Sequence, residues 1–301
     1  MIEVRWPGFL TTVQDLGRPV YGPLGISPSG AADPVALRVA NLLVGNEPGA
    51  PALEMTMAGG KFLFREAAVI AVTGSTAAAW ESRAMKAGET LDLGRAEGGA
   101  RMYLAVRGGF DVPRWLGSAS AHLMSGLGGR ALRKGDTLRV HESTVPLPFG
   151  GFPQIRLEAM ARLKPRKTLR VAYGPQVDWF ADVDRARLVD AEFIVTQRSD
   201  RLGVRLEGPA LLSAEERHMI TEGVPLGAVQ VPANGHPIIL FVEQQTTGGY
   251  PKIANVISAD LSSVGQLRPG DAVRFEWVSM QTARALLLEQ EWLLRPEVLF
   301  A

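Results

Sequence analysis

Three stretches of this 301-residue chain gather charged and hydrogen-bonding residues around glycines in excess of what strand packing requires. The first joins Thr11-Thr12-Val13-Gln14-Asp15-Leu16-Gly17-Arg18 to Gly25-Ile26-Ser27-Pro28-Ser29-Gly30-Ala31-Ala32-Asp33. With Gln14, Asp15 and Arg18 close together, such a loop could bind a polar substrate, Asp15 serving as acceptor or base and Arg18 as a planar donor fork for a carboxylate. The same residues equally describe an Asp–Arg pair that pins a loop. In the second stretch, Gln197-Arg198-Ser199-Asp200-Arg201-Leu202-Gly203, a strand ends, turns at Ser-Asp and restarts after the glycine. Arg198, Asp200 and Arg201 then meet at one strand end, which suits an anion or makes a solvated turn.

The third stretch, Glu243-Gln244-Gln245-Thr246-Thr247-Gly248-Gly249-Tyr250-Pro251-Lys252, directly follows the apolar run 238–242. Two glycines allow close backbone approach to a ligand, their amides can form an anion-binding concavity, and Gln245, Thr246, Thr247, Tyr250 and Lys252 add donors. The alternative is a polar loop with a Gly-Gly turn and Tyr250 capping the core. Asp15 and Lys252 are the candidate catalytic groups of the chain.

Other chemistry lacks its residues. No Gly-x-x-x-x-Gly-Lys-Ser/Thr loop, no Gly-x-Gly-x-x-Gly after a strand and no Gly-x-Ser-x-Gly elbow occurs, so no recognisable motif binds a nucleotide or another cofactor. The histidines at 122, 141, 218 and 236 are isolated, without metal-ligand spacing, and no structural metal is expected. Met85-Lys86 resembles part of a biotin-carrying turn, but Ala87 stands in place of the second methionine, and a hairpin-turn lysine is the expectation. The chain has no cysteine, which excludes disulfides and thiolate catalysis.

The elements that must position these residues read as mainly β. Thirty-three glycines and 20 prolines are spread along the chain and punctuate short apolar runs. Residues 68–73 and 237–242 read as buried strands, and 101–106 and 272–277 alternate as half-buried ones. The clearest helix starts at Asp33 as N-cap with Pro34 at the first helical position, places Val35, Val39, Leu42 and Leu43 on one face and stops at Gly45, plugging or covering a barrel. A short helix is expected from Ser213, with Glu216 completing a capping box, and a longer one carries Ala283, Leu286, Leu287 and Leu294.

The phrase Arg133-Lys134-Gly135-Asp136 is echoed by Arg268-Pro269-Gly270-Asp271 and more loosely by Lys86-Ala87-Gly88-Glu89. This indicates either two halves of similar build or simply good turn chemistry ahead of a strand. The stretch 145–165, with prolines at 146, 148, 153 and 165, is the expected linker, giving domains at 1–150 and 151–301. Thirty-two basic against 31 acidic residues without long runs argue against nucleic acid as a partner. Neither a leader-like N-terminus nor a membrane-length apolar stretch is evident, so a cytoplasmic protein without a membrane partner is expected.

The same polar segments, in this order, resemble the allophanate hydrolase subunit 2 family, also called the biotin-dependent carboxyltransferase-like family or the family of C-type 5-oxoprolinase subunits. The resemblance runs through Thr12 to Arg18, Pro28-Ser29-Gly30-Ala31, Ala40 to Asn46, Gly108 to Pro113, Gly126 to Leu132, Gly174-Pro175-Gln176, Ser199 to Gly203, Glu222-Gly223-Val224, Gln230-Val231-Pro232 and Gln245 to Ala254. Val204 departs from a frequent aromatic residue, and Glu243 stands where aspartate is common. Ser29 and Gln230 join the candidate substrate-binding residues through their motifs. The resemblance implies two cyclophilin-like β-barrel domains with a few short helices.

It also implies three functions of different kinds, since fold alone does not settle chemistry. In the first, the chain works with A-like and B-like partner proteins in an ATP-dependent, hetero-oligomeric 5-oxoprolinase that opens 5-oxo-L-proline, a small-molecule substrate, to L-glutamate. ATP is then used by the complex, and Arg18, Arg198 and Lys252 are the cations available to hold the substrate carboxylate and polarise its carbonyl. In the second, the chain is the carboxyltransferase component of a biotin-dependent urea or amide carboxylase, and biotin enters only there. In the third, it is a regulatory protein that antagonises a sporulation-kinase inhibitor related to the B-like partner.

Overall fold

The computed structural model describes residues 1–75, 80–143, 151–213 and 219–301. Glu216, His218 and residues 145–150 therefore lie outside the described residues. The chain divides into two compact units, one of Met1–Arg18, Ser29–Leu163 and Trp292–Ala301, the other of Pro19–Pro28 and Lys164–Glu291. Relative to a boundary at 150, the first unit also takes 151–163 and the C-terminal ten residues, and the second takes a ten-residue excursion near the N-terminus.

In chain order the first unit contains β1 (Ile2–Trp6), β2 (Leu10–Gln14), α1 (Pro34–Leu43), β3 (Ala52–Thr56), β4 (Lys61–Phe64), β5 (Ala68–Gly74), β6 (Glu81–Met85), β7 (Thr90–Asp92), β8 (Arg101–Val106), β9 (Thr137–Leu138) and α2 (Leu157–Leu163). Its strands make a five-stranded sheet in the order β2-β3-β8-β5-β6 and a four-stranded sheet in the order β7-β4-β1-β9. One core, with Ile2, Val4, Phe62 and Phe64 from the smaller sheet and Leu53, Ile70, Val72, Met102 and Leu104 from the larger, fills the space between them. The first unit is thus a two-sheet packing, and the closed ring of strands belongs to the second unit.

α1 begins where expected: Asp33 Oδ1 accepts from Ala36 N at 2.9 Å, and Pro34 opens the helix. It covers the outer face of the larger sheet, where Ala71, Tyr103 and Ala105 pack against Val35, Val39 and Leu43. This corrects one strand reading. Residues 102–106 are buried on both faces, Met102, Leu104 and Val106 against the other sheet and Tyr103 and Ala105 under α1. Alternation of larger and smaller apolar groups is not alternation of buried and exposed ones.

α2 forms inside the stretch read as a linker, because the prolines flank it and Ala159 and Leu163, four residues apart, share a face buried in the same cluster as α1. The three echoing turns are chemically alike. Asp136, Asp271 and Glu89 each use their carboxylate to accept from the backbone N–H three residues earlier, at 2.8–2.9 Å, next to a glycine with φ of 84–90°.

The second unit contains β10 (Thr168–Tyr173), α3 (Asp182–Asp190), β11 (Phe193–Val195), β12 (Gly203–Glu207), β13 (Glu222–Gly223), β14 (Ala228–Gln230), β15 (Ile238–Leu240), β16 (Thr247–Gly248), β17 (Lys252–Val256), α4 (Leu261–Gln266), β18 (Ala272–Trp277) and most of α5 (Met280–Leu293). Seven strands close a barrel in the order β10-β17-β14-β15-β12-β11-β18, sealed by the parallel pair β10 and β18. The remaining two, β13 and β16, form a separate ribbon two residues long. The structure is mainly β, with a seven-stranded barrel and few helices, and no helix among the described residues is long and apolar enough to cross a membrane.

Candidate functional site

The candidate residues fall into two clusters, one in each unit. In the first, Gln14 at the end of β2 donates from Nε2 to Thr12 Oγ1 and to the Ala121 carbonyl, both at 3.0 Å. Asp15 Oδ1 accepts from Ser118 Oγ and Ser120 Oγ at 2.6 Å and from Gly17 N at 2.8 Å, and Oδ2 accepts from Ala119 N at 2.7 Å. The Arg114 guanidinium stands 3.6 Å from the same carboxylate. Arg18 donates to the Ser120 carbonyl. Ser29, at a positive φ of 54°, donates from Oγ to the Ala121 carbonyl at 3.3 Å.

All four side chains are buried, and their bonds sew 14–18 and Ser29 to 118–121. A general base needs a lone pair directed at its substrate, whereas the Asp15 oxygens are taken up by Gly17 and the 118–120 segment. Arg114, a cation 3.6 Å from the Asp15 carboxylate, is more than ninety positions along the chain, which local spacing does not reveal.

A second buried polar group sits beneath α1. Tyr103 donates its hydroxyl to Glu54 Oε2 and accepts from Asp33 N, both at 2.7 Å, and Ala32 N donates to the same carboxylate oxygen at 2.7 Å. Burial, followed by the charge of Glu54, pushes the Tyr103 hydroxyl well above the usual tyrosine range and keeps it a donor. This network fixes the start of α1 on the sheet.

In the second unit, Arg201 and Glu243 form a buried ion pair, Nε to Oε1 at 2.5 Å, and Glu243 N donates to the Arg201 carbonyl at 2.8 Å. The pair ties the 199–203 turn to the beginning of the glycine-containing loop. Arg198 and Asp200 point away from the core and are exposed, the Asp200 carboxylate accepting from Leu202 N at 2.8 Å within its own turn.

Lys252 opens β17 opposite Gln230, the last residue of β14. The Gln230 amide lies beside Gly248, the ribbon residue paired with Glu222. Lys252 and Gln230 are each 1% exposed. Lys252 Nζ lies 2.6 Å from Glu222 Oε1, a close ion pair between a buried ammonium and an exposed carboxylate. Gln230 Nε2 makes no hydrogen bond among the described residues.

Gln176 completes the group. Its Oε1 accepts from Lys252 N at 3.1 Å, which fixes the amide so that Nε2 donates to Glu222 Oε1 at 2.9 Å. Contact with Lys252, then with Gln176, holds the Glu222 carboxyl below the usual glutamate range. The backbone of 174–176 can lie this close to β17 only without a side chain at Gly174, where a Cβ would stand 2.2 Å from the Lys252 carbonyl oxygen. Gly248 has a comparable role, since a Cβ there would meet Gln230 Nε2 at 2.7 Å and Gln245 Nε2 at 3.4 Å. Gln245, Thr247 and Tyr250 are exposed beside it, and Thr246 is half-buried.

Lys252 and Gln176 therefore meet as donors at one carboxylate oxygen, with the unpartnered Gln230 amide beside the same ribbon, and such a set stabilises an oxygen that carries or develops negative charge. Glu222 and Gln176 do not stand out by their chemistry in the sequence, because each lies tens of residues from Lys252. Their only sequence signal is membership of the Gly174-Pro175-Gln176 and Glu222-Gly223-Val224 motifs.

The fold and these motifs match those of carboxyltransferase-like proteins. The chain belongs to the family described as carboxyltransferase domain, subdomain A and B, whose model matches residues 24–277. It is 37% identical to the C-type subunit of 5-oxoprolinase from Escherichia coli, with 97% of this chain and 96% of that protein aligned. It is also 33% identical to urea amidolyase of Saccharomyces cerevisiae, over 96% of this chain but 17% of that protein. The crystal structure of the Kluyveromyces lactis urea amidolyase superposes with a TM-score of 0.89 at 34% identity, over 97% of this chain and 20% of that one.

Proposed function

We propose that this chain is the C-type subunit of an ATP-dependent 5-oxoprolinase, acting with A-like and B-like partner subunits in the cytoplasm to hydrolyse 5-oxo-L-proline to L-glutamate. The observation that carries the reading is the alignment with the C-type 5-oxoprolinase subunit over 96% of that protein's length, so that nearly all of that protein is represented here. Only 17% of urea amidolyase is represented.

In this reading, phosphoryl transfer from ATP to the lactam oxygen makes the ring carbon electrophilic. Water then adds to that carbon, the ring C–N bond breaks with protonation of nitrogen to leave an acyl phosphate, and a second water cleaves that to the carboxylate and inorganic phosphate. No nucleotide motif occurs in the chain, so the ATP site is assigned to the assembled complex. The contribution of this chain is to bind and orient the substrate through Lys252 and Gln230. Asp15 is assigned to loop structure.

Carboxyl transfer from carboxybiotin to urea or another amide is the second reading, favoured by the likeness to urea amidolyase, and a buried ammonium beside amide donors also suits a carboxyl group in transit. Glutamate release from 5-oxo-L-proline with ATP separates the two. The chain alone and the partner subunits alone are expected to be inactive and the reconstituted set active. A folded, verified assembly without ATP-dependent release would remove the 5-oxoprolinase reading.

A further inference from the structure

We propose that the Lys252 cluster is a carboxylate-binding site whose resident occupant is the chain's own Glu222, which an incoming carboxylate displaces. Lys252 and Gln230 are each 1% exposed; the ammonium meets only the exposed Glu222 carboxylate, and Gln230 Nε2 has no acceptor among the described residues. A buried ammonium and a buried amide left in this state are poised for an oxygen that the resting chain supplies only in part. Gln176 is oriented by Lys252 N, so its Nε2 presents a second donor to the point that the ammonium faces.

That point is occupied by Glu222 Oε1, 2.6 Å from Lys252 Nζ and 2.9 Å from Gln176 Nε2. The residue that supplies it differs from the others: the Glu222 side chain is 45% exposed and belongs to the two-residue ribbon of β13 and β16, separate from the barrel. A half-exposed carboxylate on a short ribbon is readily exchanged, whereas the donors are fixed in barrel strands or by a backbone bond. The set holds a cation and amide donors, so it selects an anion with a planar, two-oxygen end. Gly248 keeps the approach to Gln230 Nε2 clear, since any Cβ there would stand 2.7 Å from it.

This inference deepens the functional reading above by assigning the substrate's carboxylate, and not its lactam, to Lys252. It rests on that reading only for the identity of the natural anion. The test is calorimetric titration of the full chain and of Glu222→Gln with acetate, 5-oxo-L-proline and 2-pyrrolidinone, a lactam without a carboxylate. Removing an internal competitor that holds the site about nine-tenths of the time raises apparent affinity about ten-fold. That gain is expected for acetate and 5-oxo-L-proline and is absent for 2-pyrrolidinone. Acetate also raises the unfolding temperature of Glu222→Gln more than that of the parent chain.

Glu222→Ser, which also removes the carboxylate, gives the same gain, and adding Gln230→Leu to either variant reduces it. Equal carboxylate affinity in parent and variants, or an equal gain for 2-pyrrolidinone, would overturn the site. Glutamate release by the reconstituted set is read separately. Tighter carboxylate binding without turnover keeps the site and removes the 5-oxoprolinase assignment, whereas turnover without tighter binding removes the site and keeps the assignment.

Discussion

The buried carboxylate of Asp15 and the buried ammonium of Lys252 differ in how far their surroundings close around them. Asp15 takes bonds from two serine hydroxyls and two backbone amides of its own unit. Lys252 meets one carboxylate, from an exposed residue, and Gln230 leaves a buried donor unused. A carboxylate closed in by four donors lowers the free energy of one conformation. An ammonium met only by an exposed side chain is open to exchange, and the proposed recognition site lies there.

The contrast is sharpest in substitutions that separate stability from function. Asp15→Ala should be the most destabilising, by about 3–5 kcal/mol, since it strands several buried donors at once. Urea unfolding of the full chain measures this, and a loss below about 1 kcal/mol would break the comparison from the closed side. Arg201→Ala follows at about 3 kcal/mol, because Glu243 is left as a buried charge without its 2.5 Å partner. Tyr103→Phe removes one hydroxyl that both donates and accepts, and a cost of about 1–2 kcal/mol with earlier fraying of α1 is expected in the same denaturation and in hydrogen exchange.

The smallest effect belongs to Glu222→Gln. The Glu222 pKa is lowered in the folded chain by Lys252 and then Gln176, so its pair stabilises the fold above the ordinary glutamate range and that contribution is lost as pH falls through the lowered value. The difference in unfolding free energy between parent and Glu222→Gln should therefore be small at neutral pH, because the carboxylate is half-exposed and screened, and should disappear in acid. A difference that grows on acidification would contradict the ion pair.

Much of this was legible from residues alone, and the illegible part has a common cause. Asp33 and Pro34 announced α1, because N-capping is a contact across three residues. Gly-Asp turns and the apolar run at 238–240 were legible for the same local reason. The two-sided burial of β8 was not, since the face of Tyr103 and Ala105 is decided by a helix some sixty residues earlier. At the site, Lys252, Gln230 and Gln245 stood out as donors, whereas Glu222 and Gln176 reach Lys252 across 30 and 76 positions through a ribbon and a glycine-permitted backbone approach. A single glutamate in a sequence carries no sign that it will be the exposed partner of a buried lysine.

The most direct test replaces Lys252 by methionine, which keeps the length of the side chain and removes its charge, in the assembled complex. Steady-state release of glutamate from 5-oxo-L-proline should fall about 100-fold in kcat/KM, the order expected for losing one preorganised donor, with assembly and cooperative unfolding preserved. Unchanged kcat/KM in a folded, assembled Lys252→Met complex would contradict the assignment of recognition to the second unit.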